Sequence, residues 1–348
     1  MAAVLVVAAP ASAQAPRYTW RANLTGTAIY DDNVFFERED PQHATAMRFR
    51  PSLSGGYRVS PALSFDGSYA FDAEYYPDHP DLSDPFASQT GSLAGQWQAG
   101  AYTSVSLGAG FSQSATAADL IPGAGLDLGR IQGRAWSVSA GASRRLSKSG
   151  TLGLGYSLSH VSFGDVHESR AHSVSASWSQ QLTAHTGLSV TAGPRFMDGN
   201  TSAEASASVV RTMERGSLSL AYGRSRYAAP GQDVDAESLS GSAHLVLSRT
   251  VSVSASPGFY RHRYADGETG RSLRLGLVGS WEVRRGLSAR AIYQHLRQDG
   301  FPGGRSVFPG GPWLARNVFA VSFSAGLSRS RETNADVGVP PAQPAFPR

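Results

Sequence analysis

Leu63-Ser64-Phe65-Asp66-Gly67-Ser68-Tyr69-Ala70-Phe71-Asp72-Ala73-Glu74-Tyr75 alternates between two kinds of residue along its whole length. A period of two places Leu63, Phe65, Tyr69, Phe71 and Tyr75 on one face of a strand, and Ser64, Asp66, Ser68, Asp72 and Glu74 on the other. The run is longer than the roughly five or six residues usual for a strand in a soluble sandwich.

The same alternation returns at Val105/Leu107/Ala109/Phe111, at Leu152/Leu154/Tyr156/Leu158, at Leu273/Leu275/Leu277/Gly279/Trp281 and at Phe319/Val321/Phe323/Ala325/Leu327. Sandwiches alternate as well, so the connections decide. Divided at its turn residues, the chain yields about sixteen strands, an even number as in bacterial outer-membrane barrels. Short links fall at Val59-Ser60-Pro61, Ala99-Gly100, Lys148-Ser149-Gly150, Ala184-His185, Glu214-Arg215, Arg249-Thr250 and Arg285-Gly286. Longer links centre on 31–44, 77–86, 114–132, 164–170, 198–201, 228–236, 265–269 and 299–314. Short turns on one rim and longer loops on the other are the signature of such a barrel. The expected fold is all-β: a transmembrane, antiparallel, up-and-down barrel of about sixteen strands in the outer membrane of a Gram-negative bacterium.

Composition agrees. Charged residues make up 17% of the 348 positions, below the roughly 25% usual in soluble domains. The net charge of +4 and the pI near 9.4 do not point to nucleic acid. The arginines are scattered, and Lys148 is the only lysine, so no basic patch forms. Without cysteine the chain has no disulfide framework and no Cys-based zinc site.

Residues 1–13 read as a secretory signal: an apolar run from Ala2 to Ala9 leads to Pro10 and the small residues Ala11-Ser12-Ala13. Cleavage is expected after Ala13, because a cut after Ala15 would leave Pro16 at the scissile bond. The barrel is expected over 14–329. Residues 330–348, with Pro340, Pro341, Pro344 and Pro347, are expected as a flexible periplasmic tail. No stretch after the signal supplies the ~18–20 apolar residues of a membrane helix. Tyr18, Trp20, Tyr57, Trp97, Trp136, Trp178, Trp281 and Phe323 share the apolar parity, as interfacial girdles require.

The other parity is mostly Ser, Gly, Thr and Gln, as in Ser173, Ser175, Ser177 and Ser179. Such short side chains cannot fill a barrel in the porin size range, so the interior should hold water or a plug. Charged inward residues gather on either side of the closure seam. Arg21, Arg48, Arg50, Asp66, Asp72 and Glu74 come from the first three strands, and Arg274, Glu282 and Arg290 from the fourteenth and fifteenth. They are the candidate pore-lining residues; opposed charged walls orient a passing solute, and the same charges equally suit bracing of the seam. The link at 114–132 is unusually apolar, with Leu120, Ile121, Pro122, Leu126 and Leu128. It suits a fold into the lumen, a cap over the mouth or a contact with a partner.

No segment matches HExxH, a Walker A loop or a G-x-S-x-G elbow. The nine histidines are dispersed without close ligand spacing. No catalytic, metal or cofactor site is assigned. Serine and histidine on a barrel wall also serve outer-membrane hydrolases, which keeps an enzyme as a lesser alternative.

The first long link opens with Tyr30-Asp31-Asp32-Asn33-Val34-Phe35. This resembles an outer-membrane β-barrel porin family in which a Y-D-D/S-N-I/V-F segment recurs at the first hairpin. The motif covers these six residues; the rest of the chain matches in architecture. The resemblance implies a barrel of the kind often associated with exopolysaccharide systems, with polysaccharide-export components as partners. Physically, Asp31, Asp32 and Asn33 suit a turn leaving the membrane, since their side chains bond nearby backbone amides; the same oxygens also suit a divalent cation. The expected function is passive passage of solutes or exopolysaccharide through a pore, the alternative being a non-conducting structural or surface-binding barrel. The expected surroundings are outer-membrane lipid and lipopolysaccharide.

Overall fold

A computed structural model describes residues 17–37, 40–299 and 313–331. The expected signal at 1–13, the tail beyond 331 and most of the link at 299–314 lie outside the described residues. The first eight strands are β1 (Arg17–Asp31), β2 (Ala44–Ser60), β3 (Leu63–Tyr75), β4 (Asp84–Gly100), β5 (Thr103–Ser114), β6 (Gly133–Arg145), β7 (Gly150–Phe163) and β8 (His167–Thr183). The second eight are β9 (Thr186–Met197), β10 (Asn200–Met213), β11 (Gly216–Ala229), β12 (Gln232–Val246), β13 (Val251–Tyr264), β14 (Thr269–Arg284), β15 (Leu287–Asp299) and β16 (Leu314–Arg331). Each pairs antiparallel with its neighbours in sequence. β1 closes the ring against β16, with Thr25 opposite both Arg50 and Ser324. Closure leaves no edge, the condition under which β-structure can stand in hydrocarbon.

Parity sorts the side chains as the alternation requires. Leu107, Leu154 and Leu220 are 61%, 64% and 57% exposed at mid-strand, the inverse of a soluble core. Tyr18, Trp20, Tyr57, Trp97, Trp178 and Trp281 are also exposed, near one end of their strands, and Tyr30, Tyr75, Phe86 and Trp136 near the other. Tyr18 and Tyr57 stack at 4.9 Å. An apolar belt between two aromatic girdles is the outer surface of a membrane barrel. On the inner face, serines bond across strands: Ser68 to Ser92, Ser104 to Ser143, Ser157 to Ser173 and Ser219 to Ser242, all at 2.7–2.8 Å. Cross-strand hydroxyl pairs of this kind stabilise a sheet by a few tenths of a kcal/mol each, up to ~1. They also account for the abundance of serine on that parity. The chain is a sixteen-stranded outer-membrane β-barrel.

The links depart from strict alternation. Those expected at 164–170, 198–201, 228–236 and 265–269 shrink to 164–166, 198–199, 230–231 and 265–268, because the strands run on. Asp198 and Gly199 both have positive φ, 49° and 82°, as a two-residue hairpin turn demands. The Asp-Gly pair was the signal for it. The strands are 12–18 residues long, against the ~9–11 that cross the membrane, so the surplus stands above the bilayer as projecting hairpins. By the short-turn rule this rim is extracellular.

Candidate functional site

The segment 115–132 folds into the barrel. It leaves β5 through a short helix, α1 (Ala117–Leu120), and a 3-10 turn at Pro122–Ala124. Ser114 and Thr116 both donate to Asp119 Oδ2 at this departure, at 2.9 and 2.6 Å. Ala117, Ile121, Ala124 and Leu126 then bury themselves against Phe163 of nearby β7 and against Ala228, Ala229, Val234 and Tyr264 of β11–β13 across the ring. This explains the apolar content of the loop: the extracellular ends of β7, β11, β12 and β13 turn apolar residues inward to receive it.

The far end of the loop is held by its backbone. Ser272 Oγ donates to Gly125 O at 2.7 Å, and Arg274 donates to Gly125 O and Leu126 O at 3.2 and 2.7 Å. His262 Nε2 meets Ala124 O at 2.6 Å. Gln298 accepts the Asp127 amide at 2.9 Å and donates to the Asp127 carbonyl at 3.1 Å. Ser272, His262 and Gln298 are fully buried, so this seam excludes the water that would otherwise compete for it. Gly125 sits at φ 67°, and an added Cβ would run into the Tyr260 ring. Only glycine fits there.

The return path passes β16, β1 and β3. Arg316 Nη1 donates to Asp127 Oδ2 at 2.7 Å, while its Nε donates to Asp31 Oδ2 at 3.0 Å. Arg130 donates to the Tyr76 hydroxyl at 2.9 Å and to Leu82 O at 3.2 Å, with Glu74 3.6 Å away. The Tyr30–Phe35 motif belongs to this anchorage. Asp31 Oδ1 accepts the Asn33 amide at 3.0 Å, the local turn contact expected of it. Asp32 accepts both the backbone and the side-chain N–H of Asn317 at 2.6 Å, and Asn33 Nδ2 reaches Glu37 O and Ala315 O. These oxygens therefore serve to staple the first loop to β16.

Between the loop and the walls of β1–β5 and β12–β16 remains a cavity of ≈ 670 Å³. A second, of ≈ 470 Å³, lies on the other side of Leu120–Gly123. The larger carries most of the charge. Arg48 Nε donates to Glu74 Oε1 at 2.8 Å, and Arg50 Nη1 to Asp72 Oδ2 at 3.0 Å. Ser88 adds a bond to Asp72 at 2.8 Å, and Tyr76 one to Glu74 at 3.1 Å. The burial of these pairs is lopsided. Asp72 and Glu74 are 5% and 7% exposed, whereas Arg50 and Arg48 are 42% and 38% exposed. Within each pair the guanidinium meets lumen water more than its carboxylate does. Arg48, Asp72, Glu74 and the exposed Asp119 all line the cavity, and Arg50 stands just outside that lining.

The nine inward charges singled out from the sequence thus fall into two groups. Arg48, Arg50, Asp72, Glu74 and Arg274 stand at the level of the infolded loop. Arg21 and Asp66 lie towards the opposite end of β1 and β3, and Glu282 and Arg290 line a separate cavity of ≈ 460 Å³ near the periplasmic turns. Sequence reasoning passed over Arg316, Arg130, Asp127, His262 and Gln298. Asp127 follows no strand-wide pattern, and a single inward polar residue near a strand end, such as Arg316, looks like any other.

No protein-family profile matches the chain. No curated protein matches it either. Among solved structures it is similar to Acinetobacter baumannii OccAB4, with a TM-score of 0.51 and 10% identity over 90% of this chain and 99% of that one. It is also similar to a loop-deletion form of Vibrio cholerae OmpT, an outer-membrane protein, with a TM-score of 0.48, 11% identity, and coverage of 90% and 99%. Pseudomonas aeruginosa OprD gives a TM-score of 0.47 at 12% identity over 89% and 95%. The first of these likenesses supports the barrel fold.

Proposed function

We propose that this barrel is a passive, water-filled pore for small solutes, with its selectivity set beside the infolded loop. One observation carries the reading: the loop occupies part of the extracellular half of the lumen and leaves a ≈ 670 Å³ cavity lined by charged side chains. Arginines held half-exposed over buried carboxylates put charge where a passing solute meets it. Fixed charges in a confined polar space dominate the local field, and in the Arg48–Glu74 and Arg50–Asp72 pairs the more exposed member is the arginine. Small anions and carboxylate-bearing solutes are the substrates this arrangement favours. The polysaccharide passage implied by the Tyr30–Phe35 resemblance has less in its favour, because the anchored loop narrows the route a polymer chain would need. No residue acts as a catalyst in this reading.

The test is single-channel recording with the purified, folded protein in a planar bilayer. Discrete conductance steps with a preference for chloride over potassium are expected. Silent insertion of correctly folded barrel overturns the reading in favour of a structural or surface-binding role.

A further inference from the structure

The extracellular rim holds a cluster that serves neither the lumen nor the lipid face. β9 and β10 close early, at the Asp198–Gly199 turn, and this low tip lies beside Arg170 of β8. Arg170 N–H donates to Asp198 Oδ1 at 3.0 Å. On either side the neighbouring strands run on past their last pairing with this hairpin, β8 from Ala171 to His167 and β11 from Arg224 to Ala229. These free ends of β8 and β11 come into contact, although two strands separate them in the ring. His167 of β8 then faces Asp233 of β12, Nε2 to Oδ1, at 3.6 Å. With Asp198 beneath them, the three residues bring one donor atom each within 4.8 Å of one another.

Two further facts single this cluster out. His167 Nε2 and Asp233 Oδ1 are both shut off from solvent, and neither makes a hydrogen bond. Their only contact is the 3.6 Å approach to each other, too long for a hydrogen bond, so a third group between them would satisfy both. The spacing also suits an ion. Two donors each ~2.1 Å from one metal lie at most ~4.2 Å apart. The His167–Asp233 separation of 3.6 Å meets that as it stands. Asp198 is exposed at its turn, so its carboxylate needs only a small side-chain adjustment to join them.

We propose that His167, Asp198 and Asp233 form a divalent-cation site that clips the β7–β8 and β11–β12 hairpins together over the β9–β10 tip. An imidazole nitrogen with two carboxylates is a donor set for zinc-like ions rather than for calcium or magnesium, which take oxygen alone. Sequence spacing gave no hint of it. The three residues come from three successive hairpins, and they meet only because β8 and β11 touch past the β9–β10 turn. The competing arrangement is a protonated His167 paired with Asp233 and no ion.

The experiment is isothermal titration of chelator-stripped, folded, full-length barrel in detergent with zinc chloride, and separately with calcium chloride. One zinc ion per barrel is expected, bound more tightly than calcium. Asp198→Asn and His167→Ala should each weaken zinc binding by about tenfold or more, since losing even an outer-shell partner of a metal ligand costs about that much. Asp198→Asn is the variant that preserves the fold, because asparagine tolerates positive φ. Folding of both variants is checked by heat-modifiable mobility in gels. Absence of saturable zinc binding by the folded wild type overturns the site and leaves the simple ion pair. Zinc binding of unchanged affinity in both variants overturns it too, by placing the metal elsewhere.

Discussion

Arg316 on β16 and Asp127 in the infolded loop, 189 positions apart, are joined by a 2.7 Å hydrogen bond from Nη1 to Oδ2. The same guanidinium holds Asp31 at the start of the first loop. One side chain therefore couples the closure seam, the Tyr30–Phe35 motif and the constriction. Arg316 is 18% exposed, and the two carboxylates 7% and 8%. Removing the cation leaves two nearly buried anions without their partner, a loss of about 3–5 kcal/mol for a buried pair. Arg316→Ala should lower the unfolding midpoint and release the loop. Single channels should become larger and noisier. Conductance identical to wild type would show that the remaining contacts at Ser272 and Gln298 hold the loop alone.

Gly125 offers a milder probe of the same anchorage. A side chain there meets both the αL backbone penalty, about 1–2 kcal/mol, and the Tyr260 ring. Gly125→Ala should loosen the turn while leaving every charge in place. Protease cleavage within 115–132 of the folded, detergent-solubilised barrel should speed up, with the strands still protected. Unaltered cleavage would mean that the loop accommodates the methyl group by moving as a unit.

Strand residues announced their faces in the sequence because parity is a property of every strand, repeated sixteen times around the ring. Arg48 and Glu74 lie directly opposite each other on β2 and β3, so their pairing follows once register is known. The loop is a different matter. Its apolar residues hinted at burial, but its route is set by side chains such as Ser272, Gln298 and Arg316, which share the inward parity with every other lumen residue and so do not stand out from it. The hairpins at 198–199 and 230–231 look like longer loops in the sequence because polar residues continue along strands that have already left the hydrocarbon. There the outward face no longer needs to be apolar, and Asp233, Asp235 and Arg226 occupy it.

Parity and depth together predict how an inserted charge is tolerated. Leu275 lies mid-strand in β14, so Leu275→Arg should destabilise the barrel by about 2–4 kcal/mol, as at a bilayer midplane. Leu245 points to the same outer face but is next to the end of β12. Leu245→Arg should then cost only about 0–1 kcal/mol, as expected near the interface. Ser254, opposite Val278 on the inner face, should accept Arg without loss. Reversible urea unfolding into vesicles measures all three. A cost at Ser254 equal to that at Leu275 would overturn the assignment of faces.

The selectivity of the pore rests on which partner of each ion pair meets the solvent. Arg48 and Arg50 are half-exposed while Glu74 and Asp72 are buried beneath them, so the two signs are not equivalent to a passing ion. Replacing both arginines by serine removes the more exposed charge of each pair and uncovers two carboxylates. The double variant should therefore reverse its preference toward cations, read as a change in sign of the reversal potential across a salt gradient. The reciprocal variant, Asp72→Asn with Glu74→Gln, removes only charges already screened by their arginines. It should move the reversal potential further toward that of anions, by a smaller amount. An equal and opposite response from the two variants would mean that both signs are felt alike. Unchanged selectivity in the arginine variant would show that these pairs brace the wall and leave the choice of solute to the loop.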